Sequence, residues 1–273
     1  MKFRSIVIIL LFAAVSLLGI TSERKKELTL SAAGIKTLEI ECGSGYLKVK
    51  GKEGLKQIEV EATIVIKGLD KDEIDFFIKD KITLTLKKKG AKAELVSEVK
   101  SLSSIFGKRK SVQVNLDVRM PRDMSLDIDD GSGSIAVEGI GADVEIEDGS
   151  GSIEVEDING DLEIEDGSGE IDIEGVSGNV KIDDGSGEID VKKVKGNVKV
   201  DDSSGEIKVK NIGGDVDVED SSGDIKIYEI GGSVVVDDGS GGIYIDGVAK
   251  DVYIKSAGSG SVSIKNVKGK VEK

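Results

Sequence analysis

Between Asp130 and Asp238 the string Asp-Gly-Ser-Gly or Asp-Ser-Ser-Gly returns every 18 residues, seven times without a gap. A period this strict leaves few folds open, because every repeat must present the same face to its neighbours. Stacked in register, the repeats form columns. Ile135, Ile153, Ile171, Ile189, Ile207, Ile225 and Ile243 make one, and four more run from Val137, Ile140, Val144 and Ile146. Leu162 is the one member of these five columns that is neither Val nor Ile. Branched residues alternate with charged ones, which is the chemistry of a strand buried on one face. Gly133 heads one glycine column, and a second runs from Gly160 to Gly232, at corners where φ is free to be positive. The pattern predicts an all-β fold, a parallel β-solenoid with 18-residue coils of two nine-residue half-repeats and a dry Val/Ile interior. At ~4.8 Å per coil, eight coils make a rod roughly 40 Å long. The eighth carries one inserted residue and places Val262, Ile264, Val267 and Val271 on the same columns.

The rest of the chain divides by composition. Residues 1–22 read as an export signal: Lys2 and Arg4 precede an apolar run from Ile6 to Ile20, too short for the roughly 20 residues of a spanning helix. Cleavage is expected near Thr21 or Ser22, with an uncleaved anchor as the alternative, and no other stretch would enter a membrane. Residues 23–125 read as an irregular β region of longer coils, and residues 126–273 as the regular solenoid. Within the irregular region a first solenoid-like coil starts near Thr37, since Leu38–Gly51 repeats the pattern of Leu126–Gly139. Strands are expected at residues 57–67, 82–88 and 112–119, a short helix at 71–79 and a loop at 101–110.

Composition narrows the chemistry. With no histidine, the chain has no Ser-His-Asp triad, His-ligated zinc or imidazole base, and one cysteine makes no internal disulfide. The acids form a ladder of equivalent groups rather than an isolated pair in a cleft, so no catalytic residue is assigned and the chain is read as a non-enzyme. Residues 1–125 carry a net charge of +8 and residues 126–273 one of −22. So acidic a solenoid repels nucleic acid and anionic lipid and favours basic partners or cations.

The export signal, the strand-rich first part, the Arg119-Met-Pro-Arg-Asp-Met-Ser-Leu-Asp-Ile128 segment and the Ser-Gly-x-Ile-x-Val repeats resemble the bacterial "putative adhesin" family. The resemblance implies a β-solenoid envelope domain of unknown function with an adhesion role, and supplies no binding residues. Other 18-residue solenoids fit less well. The six-residue period of hexapeptide acyltransferases fails at the Ser152 column, the calcium-binding nonapeptide has aspartate where Ile135 stands, and no threonine array exists for ice.

Two surface features are candidates for a bound species. The first is the column Asp130, Asp148, Asp166, Asp184, Asp202, Asp220 and Asp238, flanked by a second acidic column that starts at Asp129. It reads either as a cation edge, for which calcium has suitable oxygen donors, or as a row of Asx-turns in which each carboxylate accepts a backbone N–H two residues on. No other cofactor is expected. The second is the far end of the solenoid, where Tyr228 and Tyr244 fall diagonally on one sheet and Val235 and Tyr253 adjoin on the other. Exposed tyrosines suit protein or glycan contacts, and equally suit strands in general. Cys42 stands where later repeats have Asp and reads as a spare thiol. The functional expectation is an exported, adhesin-like or structural binding rod at the surface, outside the cell or in the periplasm. The alternatives are a periplasmic, envelope-stress-associated scaffold that binds another protein, or a calcium-responsive acidic module. Self-association and the ligand stay open.

Overall fold

The computed structural model describes residues 13–15, 21–68, 71–100 and 111–273. Most of the apolar run before Thr21, and the loop expected at 101–110, lie outside the described residues. The chain forms two compact units, Met1–Ile135 and Ala136–Lys273.

In chain order the first unit contains β1 (Ala13–Val15), β2 (Thr21–Ser31), β3 (Thr37–Lys52), β4 (Gln57–Lys67) and α1 (Lys71–Lys81). It continues with β5 (Ile82–Lys89), β6 (Lys92–Val99), β7 (Ser111–Pro121) and the start of β8 (Ser125–Glu138). The strand directions in this region are mixed. β3 does run parallel to β6 and β7. However, β4 lies antiparallel to both β2 and β7, from Thr21↔Lys67 to Ser31↔Gln57 on one side and Lys67↔Ser111 to Glu59↔Arg119 on the other. β5 and β6 form an antiparallel hairpin closed between Lys89 and Lys92, where Gly90 has φ +64°. So tight a turn joins only antiparallel strands, which is why the coil pattern breaks there. Alternate residues fill the core, with Val60, Ala62 and Ile64 of β4 buried beside Val114, Leu116 and Val118 of β7.

In the second unit each coil has a first strand such as Ile189–Val194 and a second such as Val198–Asp202. Successive first strands pair parallel and in register, Ile171↔Ile189↔Ile207↔Ile225. The second strands do the same, Val180↔Val198↔Val216↔Val234. The five expected columns are buried throughout the regular coils, each Val or Ile contributing about 1.5–3 kcal/mol relative to an exposed side chain. The inserted residue of the last coil is taken up as a register shift after Val236, where Asp237 pairs with Ser256. Beyond it the columns resume, Ile243↔Val262 and Val252↔Val271. Among the described residues no helix is long and apolar enough to cross a membrane.

Candidate functional site

Each solenoid coil has two corners, and their chemistry differs. At the first, the Asp-Gly-Ser-Gly string turns the chain through a glycine with φ between +144° and +158° from Gly151 to Gly223. A Cβ at Gly169, Gly187, Gly205 or Gly223 would lie within 1.6 Å of the carbonyl oxygen of the glycine one coil earlier. Backbone stacks on backbone here, so no side chain fits.

The aspartates that open this corner turn inward. Asp148, Asp166, Asp184, Asp202, Asp220 and Asp238 are all buried, from 0 to 6% exposed. Oδ1 accepts the serine N–H two residues on in five consecutive coils, at 3.2 Å for Ser150, 3.1 Å for Ser168, 3.2 Å for Ser186, 3.0 Å for Ser204 and 2.9 Å for Ser222. The column therefore forms Asx-turns. Burial pushes the carboxyls of Asp166, Asp202 and Asp238 up from the ordinary value, and those of Asp184 and Asp220 up to about 6. In the first unit Asp130 is equally buried, and burial raises its pKa while the Cys42 thiol donates to it and opposes the rise. Among the described residues no group of three or more acids or cysteines is placed to hold a metal ion.

The second corner holds a ladder that the sequence reading missed. Asp143, Asp161, Asn179, Asn197 and Asp215 each accept, through Oδ1, the N–H of the residue 18 positions later, at 2.7–3.0 Å. Each bond ties one coil to the next. The signal was a short Asp/Asn/Ser column just after the second glycine column, readable as polar turn residues but not as an inter-coil brace. The same corner demands a left-handed residue in every coil. Gly139, Gly175 and Gly247 supply it in some, and Asp157, Lys193, Asn211 and Glu229 in others, at φ 57–60°.

Outward residues form ion pairs within and between coils where the charge sign changes along the solenoid. Asp190 meets Lys192 at 2.7 Å and Lys208 at 2.9 Å, and Lys226 meets Glu206 at 2.6 Å. The tyrosines lie where the columns were expected to bring them. The Tyr228 and Tyr244 rings are 5.5 Å apart at 40°, and Lys265 Nζ sits 5.0 Å from the Tyr244 ring. Tyr244 donates to Asp246 Oδ2 at 3.2 Å, while Asn266 donates to Asp246 Oδ1 at 2.6 Å. Tyr253 and Val235 are neighbours in register on the opposite sheet, so the four residues do not form one patch. A groove of about 470 Å³ runs along that second face, lined by Lys181, Asn197, Lys199, Asp217 and Val235 among others.

A protein-family profile described as Toastrack DUF4097 matches residues 35–231, from the start of β3 into the tyrosine-bearing coils. The chain belongs to the Toastrack DUF4097 family. A solved structure with the Toastrack chain's fold is a "putative lipid binding protein" from Parabacteroides distasonis, 20% identical, with a TM-score of 0.51 over 92% of this chain and 96% of that one. A "putative cell adhesion protein" from Clostridium sporogenes is 11% identical, with a TM-score of 0.30 over 92% of this chain and 98% of its own. A "putative adhesin" from Bacteroides fragilis is 13% identical, with a TM-score of 0.29 over 91% and 96%. No curated protein matches the Toastrack sequence.

Proposed function

We propose that this chain is an exported, non-enzymatic binding rod of the cell envelope, adhesin-like in its action, that recognises its ligand through the outer faces of the solenoid. The observation that carries this reading is the filling of the interior. From Ile153 to Val252 the coils pack their Val, Ile and Leu columns inward at 0–2% exposure, so the chemistry open to a partner there is that of the in-register outer columns. Along those columns the Tyr228–Tyr244 pair, with Lys265 and Asp246 beside it, departs most from plain charge alternation. Aromatic faces beside fixed hydrogen-bonding groups suit a sugar ring or a protein surface.

The test is protease shaving and antibody labelling of intact producing cells against lysed ones. Labelling of intact cells is the expected result, and a glycan and protein binding screen would then use the chain beside Tyr228→Ala and Tyr244→Ala variants. Protection until lysis would overturn the adhesin reading and leave a periplasmic scaffold. Equal binding by both variants and the parent would remove the tyrosine face from the proposal.

A further inference from the structure

We propose that the inward aspartate column of the solenoid, Asp166, Asp184, Asp202, Asp220 and Asp238, is a proton-binding ladder that tightens the coils as the surroundings acidify. The register places these residues one above another, Asp166↔Asp184↔Asp202↔Asp220↔Asp238. All five are at least 94% buried. In the first four, one oxygen holds a serine N–H while Oδ2 is buried without a hydrogen-bond partner. Parallel strands repeat at ~4.8 Å, so ionised neighbours would face each other across a short gap with little water to screen them. A buried oxygen without a donor is costly when charged and much less so when protonated.

The groups facing the column sharpen the conflict. Asp166 and Asp202 flank Asp184, and Asp202 and Asp238 flank Asp220. The charge of Asp201 also raises Asp202, and those of Asp224 and Asp237 raise Asp238. The charges that act most strongly on these four are thus other carboxylates. The opposing influence comes from backbone N–H groups, among them those of Ser168, Ser186, Ser204 and Ser222. An asparagine column would accept the same N–H bonds without charge, yet a titratable group stands in each of these coils.

The sign follows from linkage. A carboxyl raised in the folded chain from 3.8 to about 6 adds stability in full below the unfolded value, and loses it as pH rises through the folded one. For Asp184 and Asp220, going from pH 7 to pH 5 shifts the unfolding equilibrium toward the fold by about tenfold each. The ladder also requires that unfolding near pH 5 release protons.

Thermal melting of the full chain from pH 7.5 to pH 5 tests this beside a variant with Asp166, Asp184, Asp202, Asp220 and Asp238 all changed to Asn. The parent is expected to melt higher as pH falls, and the variant to melt higher than the parent at pH 7.5 with the slope lost. An unchanged slope in the variant, or a parent that weakens over the same range, would overturn the proposal. Should the fivefold variant not fold, Asp184→Asn and Asp220→Asn singly are each expected to remove about tenfold of the pH effect. Infrared detection of protonated carboxyl in the folded parent near pH 5.5, reduced in those single variants, is the second readout. Its absence would overturn the ladder whatever the melting shows.

Discussion

The two units are built from the same kind of strand and solve the pairing problem differently, the first by mixing directions and the second by repeating one. In the first, β2, β4 and β7 pair antiparallel over their lengths, with corners of varied sequence and length. In the second, every strand pair is parallel, and up to the shift after Val236 the pairs are in register and the corners repeat. Apolar alternation alone therefore does not choose the pairing. The corners choose it: a tight reversal such as Lys89–Lys92 returns the chain beside itself, whereas a glycine corner stacked on its own copy sends it around and up one coil.

The largest way to break this contrast is to place the same change in both corners. Gly187→Ala puts a Cβ 1.5 Å from the Gly169 carbonyl oxygen, and backbone on both sides has no room to yield. It should cost at least roughly 4 kcal/mol by denaturant unfolding, or prevent folding. Gly54→Ala, at φ +72° with open space around it, should cost only about 1–2 kcal/mol. Equal losses at both sites would mean that the stacked corner is not what holds the coils.

Core truncation comes next. Ile207→Ala in the middle of the solenoid removes a fully buried side chain and should cost about 2–5 kcal/mol. Ile264→Ala occupies a half-buried site in the last coil and should cost clearly less, under about 2 kcal/mol. A third pair of changes is expected to act in opposite directions. Glu229→Gly relieves a left-handed residue at φ 60° and should stabilise by about 1 kcal/mol, while Gly175→Ala at φ +82° should destabilise by a similar amount. Smallest of all is Lys208→Ala. The Lys208–Asp190 pair is partly exposed, and Lys192 remains to hold the same carboxylate, so thermal melting should register less than about 1 kcal/mol.

Legibility followed the repeat. The columns from Ile135 and Val144, the bulged last coil and the Tyr228–Tyr244 diagonal could all be read from the 18-residue period, because a period sets register directly. In the first unit β4, α1 and β7 were visible as runs, but β2 and β6 were not. β2 begins with a charged stretch, Glu23 to Glu27, before its Leu28 and Leu30 turn inward, and β6 buries Ala93 and Ser97, which carry little apolar signal.

What the sequence determined by itself was the class of fold, the coil length and the dry Val/Ile interior. Identical spacing of branched residues has one way to bury them all, and that is to stack. What only the tertiary structure decided was direction. Whether the Asp130-to-Asp238 column faces water or the interior depends on how far each second strand runs before the corner: it continues through the aspartate, so the alternation that buries Val198 and Val200 also carries Asp202 inward. The structure turns the carboxylates in, ties five of them to a serine N–H, and converts a surface of negative charge into a buried one that protons can neutralise.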